Sequence, residues 1–255
     1  MFTDNHFWIG SHKVCQDYAL SGTKDGVVFA IVCDGCSSSR DTDIGARLIA
    51  RSALNQIKEV SEDYFGDLVI TEAIIQGRAL GLKEEALDAT LVIAAIIENR
   101  LLFKCYGDGA MALISKNGEY KVWEVEQDNG APKYLSYRLN KTRESLYNIE
   151  FPGTTTINNA AGLRENNLIE LFDISKSDIA AAIVMSDGFK SFYKIEETET
   201  SKNSIPVSSL DIYNELLAFK SYNGHFIDRR VTSFRKNLNK NIHHYDDCSI
   251  AGISL

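Results

Sequence analysis

The stretch VVFAIVCDGCSSSRDTDIGARLIA, Val27 to Ala50, decides how the rest of the chain is read. Its first seven residues, Val27 to Cys33, are apolar and rich in β-branched side chains, the composition of a buried strand. The run stops on Asp34-Gly35, passes through Ser37 to Ser39, and meets the capping residues Asp41, Thr42 and Asp43 ahead of a helix. A lone Asp-Gly at a strand end is usually only a turn. The same spelling recurs after strand signals at Asp108-Gly109 and Asp187-Gly188, whereas Asp25-Gly26 precedes a strand and reads as a hairpin turn.

Outward from this stretch, periodicity predicts strands near Phe7 to Gly10 and Asp17 to Leu20. A helix follows over Asp43 to Val60, with Ile49, Ala53, Ile57 and Val60 at helical spacing. A second runs over Asp67 to Gly81, where Gly81 is the stop signal. Four strands come next, at Thr90 to Ile97, Leu101 to Tyr106, Met111 to Ser115 and Tyr120 to Val125. Their short turn-rich connections require antiparallel hairpins. Further strands are predicted at Thr154 to Asn158, Leu168 to Ile174 and Ala181 to Met185, and an apolar strand from Cys248 closes the chain. The polar run Glu196 to Ser204 reads as a surface loop, and two helix signals follow it.

Asp17, Asp34, Asp187 and Asp246 all stand at predicted strand ends, which a sheet can gather on one rim. Carboxylates so gathered repel one another unless a cation sits among them. Oxygen donors without His or Cys select Mg²⁺ or Mn²⁺, and a Gly beside an Asp lets its own carbonyl reach the ion.

Composition narrows the function classes. With 255 residues, 44% hydrophobic, the chain supports one large core, and a single domain over residues 1–255 is the expectation. A net charge of -8 argues against nucleic acid and anionic membranes as partners. The N-terminal residues lack the basic and apolar pattern of an export signal, and no apolar run approaches the roughly 20 residues of a membrane span, so a cytoplasmic protein is expected. The five cysteines read as free thiols; Cys33-x-x-Cys36 lacks the second pair of a structural zinc site.

In chain order the motifs resemble those of the metal-dependent serine/threonine protein phosphatases of type 2C. Cys15-Gln16-Asp17 is similar to the family's early acidic element, and Val32-Cys33-Asp34-Gly35 to its D-G metal motif. Asp88-Ala89-Thr90 resembles G-S-T, Tyr106-Gly107-Asp108 resembles V-G-D, and Met185-Ser186-Asp187-Gly188 resembles S-D-G. Asp246-Asp247-Cys248-Ser249 is similar to the D-N/D-x-T/S before the last strand. The resemblance implies an α+β fold, a four-layer αββα sandwich of two antiparallel sheets flanked by helices, with a helical insertion at about 193–245. It also implies two Mg²⁺ or Mn²⁺ ions and a weaker third metal position. Asp34 would bridge the ions, Gly35 would give its carbonyl, Asp187 and Asp246 would hold one ion, Asp17 would serve the other, and Asp108 the third. Asp246, and not Asp247, aligns with the family ligand.

The activity so implied is hydrolysis of phosphoserine and phosphothreonine in proteins by water activated between two ions, with Asp34, Asp187 and Asp246 as the catalytic set. The alternative is an inactive relative that binds phosphoproteins or a regulatory partner through the same fold. Three positions depart from the family. Cys36-Ser37-Ser38 stands where many members carry H-G-G, with the His proposed as general acid. His12, with Lys13 beside it, replaces the phosphate-gripping Arg, and is the expected phosphate contact. Asp88 replaces a Gly.

Overall fold

The computed structural model describes residues 1–127, 130–151, 155–158, 168–171, 178–197, 202–238 and 241–255. The fold is mixed α/β, with three antiparallel sheets and five α-helices among these residues. The largest sheet has six strands: β1 (Thr3–Trp8), β6 (Gly109–Ser115), β7 (Tyr120–Gln127), β8 (Thr155–Asn158), β10 (Ile179–Met185) and β14 (Cys248–Ser254). They lie in the order β1-β14-β10-β6-β7-β8. A five-stranded sheet runs in chain order through β2 (Asp17–Lys24), β3 (Val27–Asp34), β4 (Leu91–Ile97), β5 (Arg100–Tyr106) and β9 (Leu168–Leu171). The smallest places β11 (Phe192–Glu197) between β12 (Lys202–Pro206) and β13 (Ile242–His244). The helices are α1 (Thr42–Asn55), α2 (Phe65–Ala79), α3 (Lys141–Glu150), α4 (Ser209–Leu216) and α5 (Phe226–Asn237).

The central strands are apolar throughout because both of their faces are covered. Along β3, Val27, Phe29, Ile31 and Cys33 join a core with Ile49, Ala53, Val69 and Ala73 of α1 and α2. The intervening Ala30 and Val32 join a different core, shared with Ala182 and Val184 of β10 and Ala251 and Ile253 of β14. The period of two that points successive side chains to opposite faces therefore divides one strand between two cores. The outer face of β10 and β14, through Ile183, Met185 and Ile250, packs on Ile227, Val231 and Phe234 of α5 and Leu216 of α4. Burying an aliphatic side chain of this size is worth about 2 kcal/mol, so two covered faces make such strands the rigid frame of the molecule.

Three expectations need correction. The first helix stops at Asn55, and Ile57–Glu59 form a separate 3-10 turn. Ile57 and Val60 are fully buried all the same, and apolar spacing does not distinguish a helix from a helix plus a 3-10 turn. Within Glu196 to Ser204, Glu196 pairs with Asn203 in the β11–β12 hairpin; residues 198–201 lie outside those described. Asn203, Ser204 and Ile205 are exposed, so this peripheral strand carries no apolar alternation. The segment 193–245, expected to be helical, holds α4 and α5 but also most of the third sheet. By contrast α2 ends as predicted: Gly81 takes φ +75°, and the Leu82 N–H returns to the Gly77 carbonyl at 2.9 Å. Of the predicted strand to Ile174, the part beyond Leu171 lies outside the described residues.

One polar side chain is built into this frame. Lys104 of β5 is 1% exposed, and its Nζ donates to the carbonyls of Val60, at 3.0 Å, and Glu62 while lying 5.5 Å from the Phe65 ring centroid. It ties the turn between α1 and α2 to the sheet. Lys104→Ala removes these bonds and leaves a cavity, and is expected to lower stability by about 2–4 kcal/mol in urea unfolding; an unchanged midpoint would refute this role.

Candidate active site

Register brings the acidic strand ends together. Met185 is paired with Ile250 on one side and Ala110 on the other, so Asp187, Asp246 and Asp108 all project past the same edge of the large sheet. In the five-stranded sheet Asp17 is the direct partner of Asp34. Carboxyl oxygens of Asp34, Asp187 and Asp246 lie within 4.8 Å of one another. They line a cavity of about 220 Å³ together with Asp108. Asp17 lies behind them and is 1% exposed. Its Oδ2 accepts from Ser186 Oγ at 2.7 Å, and its Oδ1 has no hydrogen-bond partner among the described residues. A buried carboxylate oxygen without a partner, beside three clustered carboxylates, fits a divalent cation held by oxygen ligands.

The backbone around Asp34 is fixed on both sides. Its N–H donates to Thr90 Oγ1 at 3.1 Å and its carbonyl accepts from the Thr90 N–H at 2.8 Å. The Gly35 N–H donates to the Gln16 carbonyl at 3.2 Å. A Cβ on Gly35 would sit 2.7 Å from the Thr42 carbonyl, and one on Gly188 only 1.8 Å from the Asp247 carbonyl. Glycine after each of these aspartates is thus required by close packing, whatever its carbonyl does.

The adjacent acids Asp246 and Asp247 stand in different surroundings. Asp247, 1% exposed, accepts from the Gly10 N–H through Oδ1 and the Gln16 N–H through Oδ2, both at 2.6 Å. It holds the 10–16 loop to the start of β14, leaving Asp246 to face the cavity. His12 Nδ1 stands 3.9 Å from Asp246 Oδ1 and 3.7 Å from Asp247 Oδ2. Lys13 is exposed, and neither residue lines the cavity.

The segment 129–148, rich in tyrosine and basic residues, is a candidate flank of the site in the sequence, but sequence position alone does not show it. Gly130, Pro132 and Tyr134, from the segment ahead of α3, line the cavity together with the acids, Cys36 and Ser37. This segment is anchored by Leu135 in the α1–α2 core and by Arg138 Nη1, 2.8 Å from Asp67 Oδ1. Cys248 is fully buried in the core, as a small apolar filler should be, whereas Cys36 is partly exposed at the cavity. Although burial opposes it, hydrogen bonds from Ser38 and Tyr134 lower the Cys36 thiol from its ordinary range.

Burial, and after it crowding, raises the carboxyls. Burial and then the Asp17 and Asp187 charges push Asp34 well above the ordinary carboxylate value. Burial pushes Asp17 up to about 7 despite the Ser186 hydrogen bond, and burial followed by the Asp187 charge pushes Asp108 up to about 7. Asp246 is raised by burial and then by Asp187. The folded protein therefore holds protons that the unfolded chain releases near pH ~4. Their contribution to stability is greatest below that pH and is lost as pH rises toward about 7. Without metal, the melting temperature is expected to fall between about pH 5 and about pH 8, and stabilisation by Mn²⁺ to grow over the same interval. A Mn²⁺ effect independent of pH in differential scanning fluorimetry would contradict this. Asp246→Asn should raise the metal-free melting temperature by relieving repulsion, and Asp247→Asn should lower it by spoiling a backbone clamp; equal shifts would refute the division of roles.

Comparison with known proteins accords with this geometry. No curated protein sequence matches the chain. Among solved structures, a bacterial serine phosphatase superposes with a TM-score of 0.58 at 12% identity, over 100% of this chain and 97% of that one. Serine/threonine phosphatase Stp1 from Staphylococcus aureus gives 0.56 at 11% identity, over 99% and 94%. Serine-threonine phosphatase 2C from Toxoplasma gondii gives 0.54 at 12%, also over 99% and 94%. At these identities the likeness is one of fold. The sequence profile described as protein phosphatase 2C matches residues 8–218, most of the chain, and with it the protein belongs to the protein phosphatase 2C family.

Proposed function

We propose that the protein is a metal-dependent phosphatase that hydrolyses phosphoserine and phosphothreonine in protein substrates, as a single domain over residues 1–255. The observation that carries this reading is the triad Asp34, Asp187 and Asp246, with carboxyl oxygens within 4.8 Å of one another in the cavity. Asp34, Asp187 and Asp246 would hold Mn²⁺ or Mg²⁺, with Asp17 behind Asp34, Asp108 at the far side and the Gly35 carbonyl as a further donor. When bound, such ions acidify the attacking water and offset charge on the phosphoryl oxygens during in-line displacement. Ser186 orients the Asp17 carboxyl through its 2.7 Å bond, and Thr90 fixes the backbone on both sides of Asp34. His12, beside Asp246 at the rim, is a candidate contact for the phosphorylated residue, with Lys13 on the exposed side of the same loop. Five free cysteines support a cytoplasmic setting.

A second reading is a metal-binding but inactive relative that engages phosphoproteins or a regulatory partner. It draws support from Cys36 and Ser37 at the cavity in place of a histidine. Hydrolysis of para-nitrophenyl phosphate and of a phosphothreonine peptide decides between them. We expect turnover that requires Mn²⁺ and falls by at least about 100-fold in Asp34→Asn. A folded wild type that binds Mn²⁺ without turnover would refute the enzyme and favour the binding role.

A further inference from the structure

The cavity poses a problem of electrostatics. Four aspartates line it, yet among its described lining residues there is no lysine or arginine. Besides His12 at the rim, the side-chain donors that the cavity lining offers a phosphoryl group are neutral, among them Cys36, Ser37 and Tyr134. Tyr134 reaches furthest of the three from its own backbone and is 9% exposed. It lines the same cavity as Cys36, whose thiol is a weak acceptor that a charged phosphoryl oxygen would readily outcompete. Burial holds the phenol far above its ordinary value, so the hydroxyl remains a donor throughout the physiological range.

The placing of Tyr134 depends on Asp88, the acid that stands where the family carries a glycine. Asp88 is 4% exposed and accepts from both walls of the cavity mouth. From the loop after Asp34 come the Ser39 hydroxyl, at 3.0 Å to Oδ2, and the Cys36 N–H, at 2.8 Å to the Asp88 backbone carbonyl. From the other wall come the Ser136 hydroxyl, at 2.6 Å to Oδ1, and Arg143 Nη2, at 3.0 and 2.9 Å to the two oxygens. Ser136 is two residues beyond Tyr134. Arg143 lies on α3, whose neighbouring Tyr147 hydroxyl donates to the Ala131 carbonyl. A buried ion pair with additional hydrogen bonds sets geometry more than it adds stability, because desolvation offsets much of its attraction. Here it joins the segment that carries Tyr134, through Ser136, to the loop that carries Cys36.

We propose that Tyr134 is a substrate-binding residue whose hydroxyl donates a hydrogen bond to the phosphoryl group of the substrate, and that Asp88 is the positioning residue that latches Tyr134 over the acidic cavity. The assignment rests on the phosphatase reading for its substrate but is tested apart from turnover. Inorganic phosphate is titrated calorimetrically into the Mn²⁺-loaded protein, alongside steady-state kinetics on para-nitrophenyl phosphate. Tyr134→Phe is expected to weaken phosphate binding by about tenfold and to raise KM by a similar factor. Mn²⁺ affinity should stay unchanged, and kcat should change far less than KM. Asp88→Asn should weaken phosphate binding by the same factor, and the double variant should be no worse than either single one, since both act on one contact.

Phosphate affinity of Tyr134→Phe within about twofold of wild type, or additive losses in the double variant, would overturn the proposal. Should Asp88→Asn not fold, Arg143→Gln cuts the same latch from its partly exposed end and takes its place in the cycle. Phosphate binding without turnover in the wild type would refute the phosphatase reading and leave the Tyr134 assignment standing. A Mn²⁺-loaded wild type that binds no phosphate would overturn the assignment itself.

Discussion

A strand covered on both faces has no place along its length for a carboxylate, because an unpaired charge between two apolar cores costs several kcal/mol. In β3, β4, β10 and β14 both faces are covered, so acidic side chains occur only where the strands stop. Antiparallel pairing then determines which stops coincide. The end of β10 lies beside the beginnings of β6 and β14, and the end of β3 beside the beginning of β2. From these two facts, one of solvation and one of register, come the gathered aspartates, their raised protonation and the fit to a divalent cation.

The price of that gathering is borne by neighbours that never touch the cavity. Asp247 spends both oxygens on backbone N–H groups of the 10–16 loop, and Ser186 ties Asp17 to the backbone of Ser249. Thr42, fully buried at the start of α1, accepts from the Gln16 amide at 2.6 Å and donates to the Cys36 carbonyl at 3.0 Å. These residues hold the repelling carboxyls in place by fixing the backbone on which they stand. Adjacent acids such as Asp246 and Asp247 look alike as residues but serve opposite ends: one is exposed to the cavity, the other consumed by the fold.

Much of this was legible in the sequence, and the reasons differ by element. Val27 to Cys33 announced a buried strand because its composition leaves no polar face, and Gly81 announced the stop of α2 because the end of that helix needs a left-handed residue. The grouping of Asp34, Asp187 and Asp246 followed from their common place at strand ends. What stayed hidden depends on contacts between residues distant in the chain. The β11–β12 hairpin has an exposed strand with no apolar periodicity to reveal it. Lys104 gave no sign that its ammonium would end inside, between two carbonyls of a turn some forty residues earlier. Asp88 could be seen to break the family pattern, but its partners Ser136 and Arg143 lie 48 and 55 positions away, and only the fold introduces them.

The position of β14 has a consequence for how the chain acquires its site. This strand, the last among the described residues, is not an edge; it lies between β1 and β10. Until it arrives, β1 has no neighbour in its sheet and β10 keeps one side open, so two rows of backbone donors and acceptors await a segment made after both. Contacts of such long sequence separation are slow to form and leave apolar strand edges uncovered meanwhile. Asp246 and Asp247 immediately precede that strand, and the acidic site is complete only when the sheet closes. A growing chain therefore lacks the complete acidic cluster, and a truncation before Cys248 would remove the middle of a sheet, not merely its end.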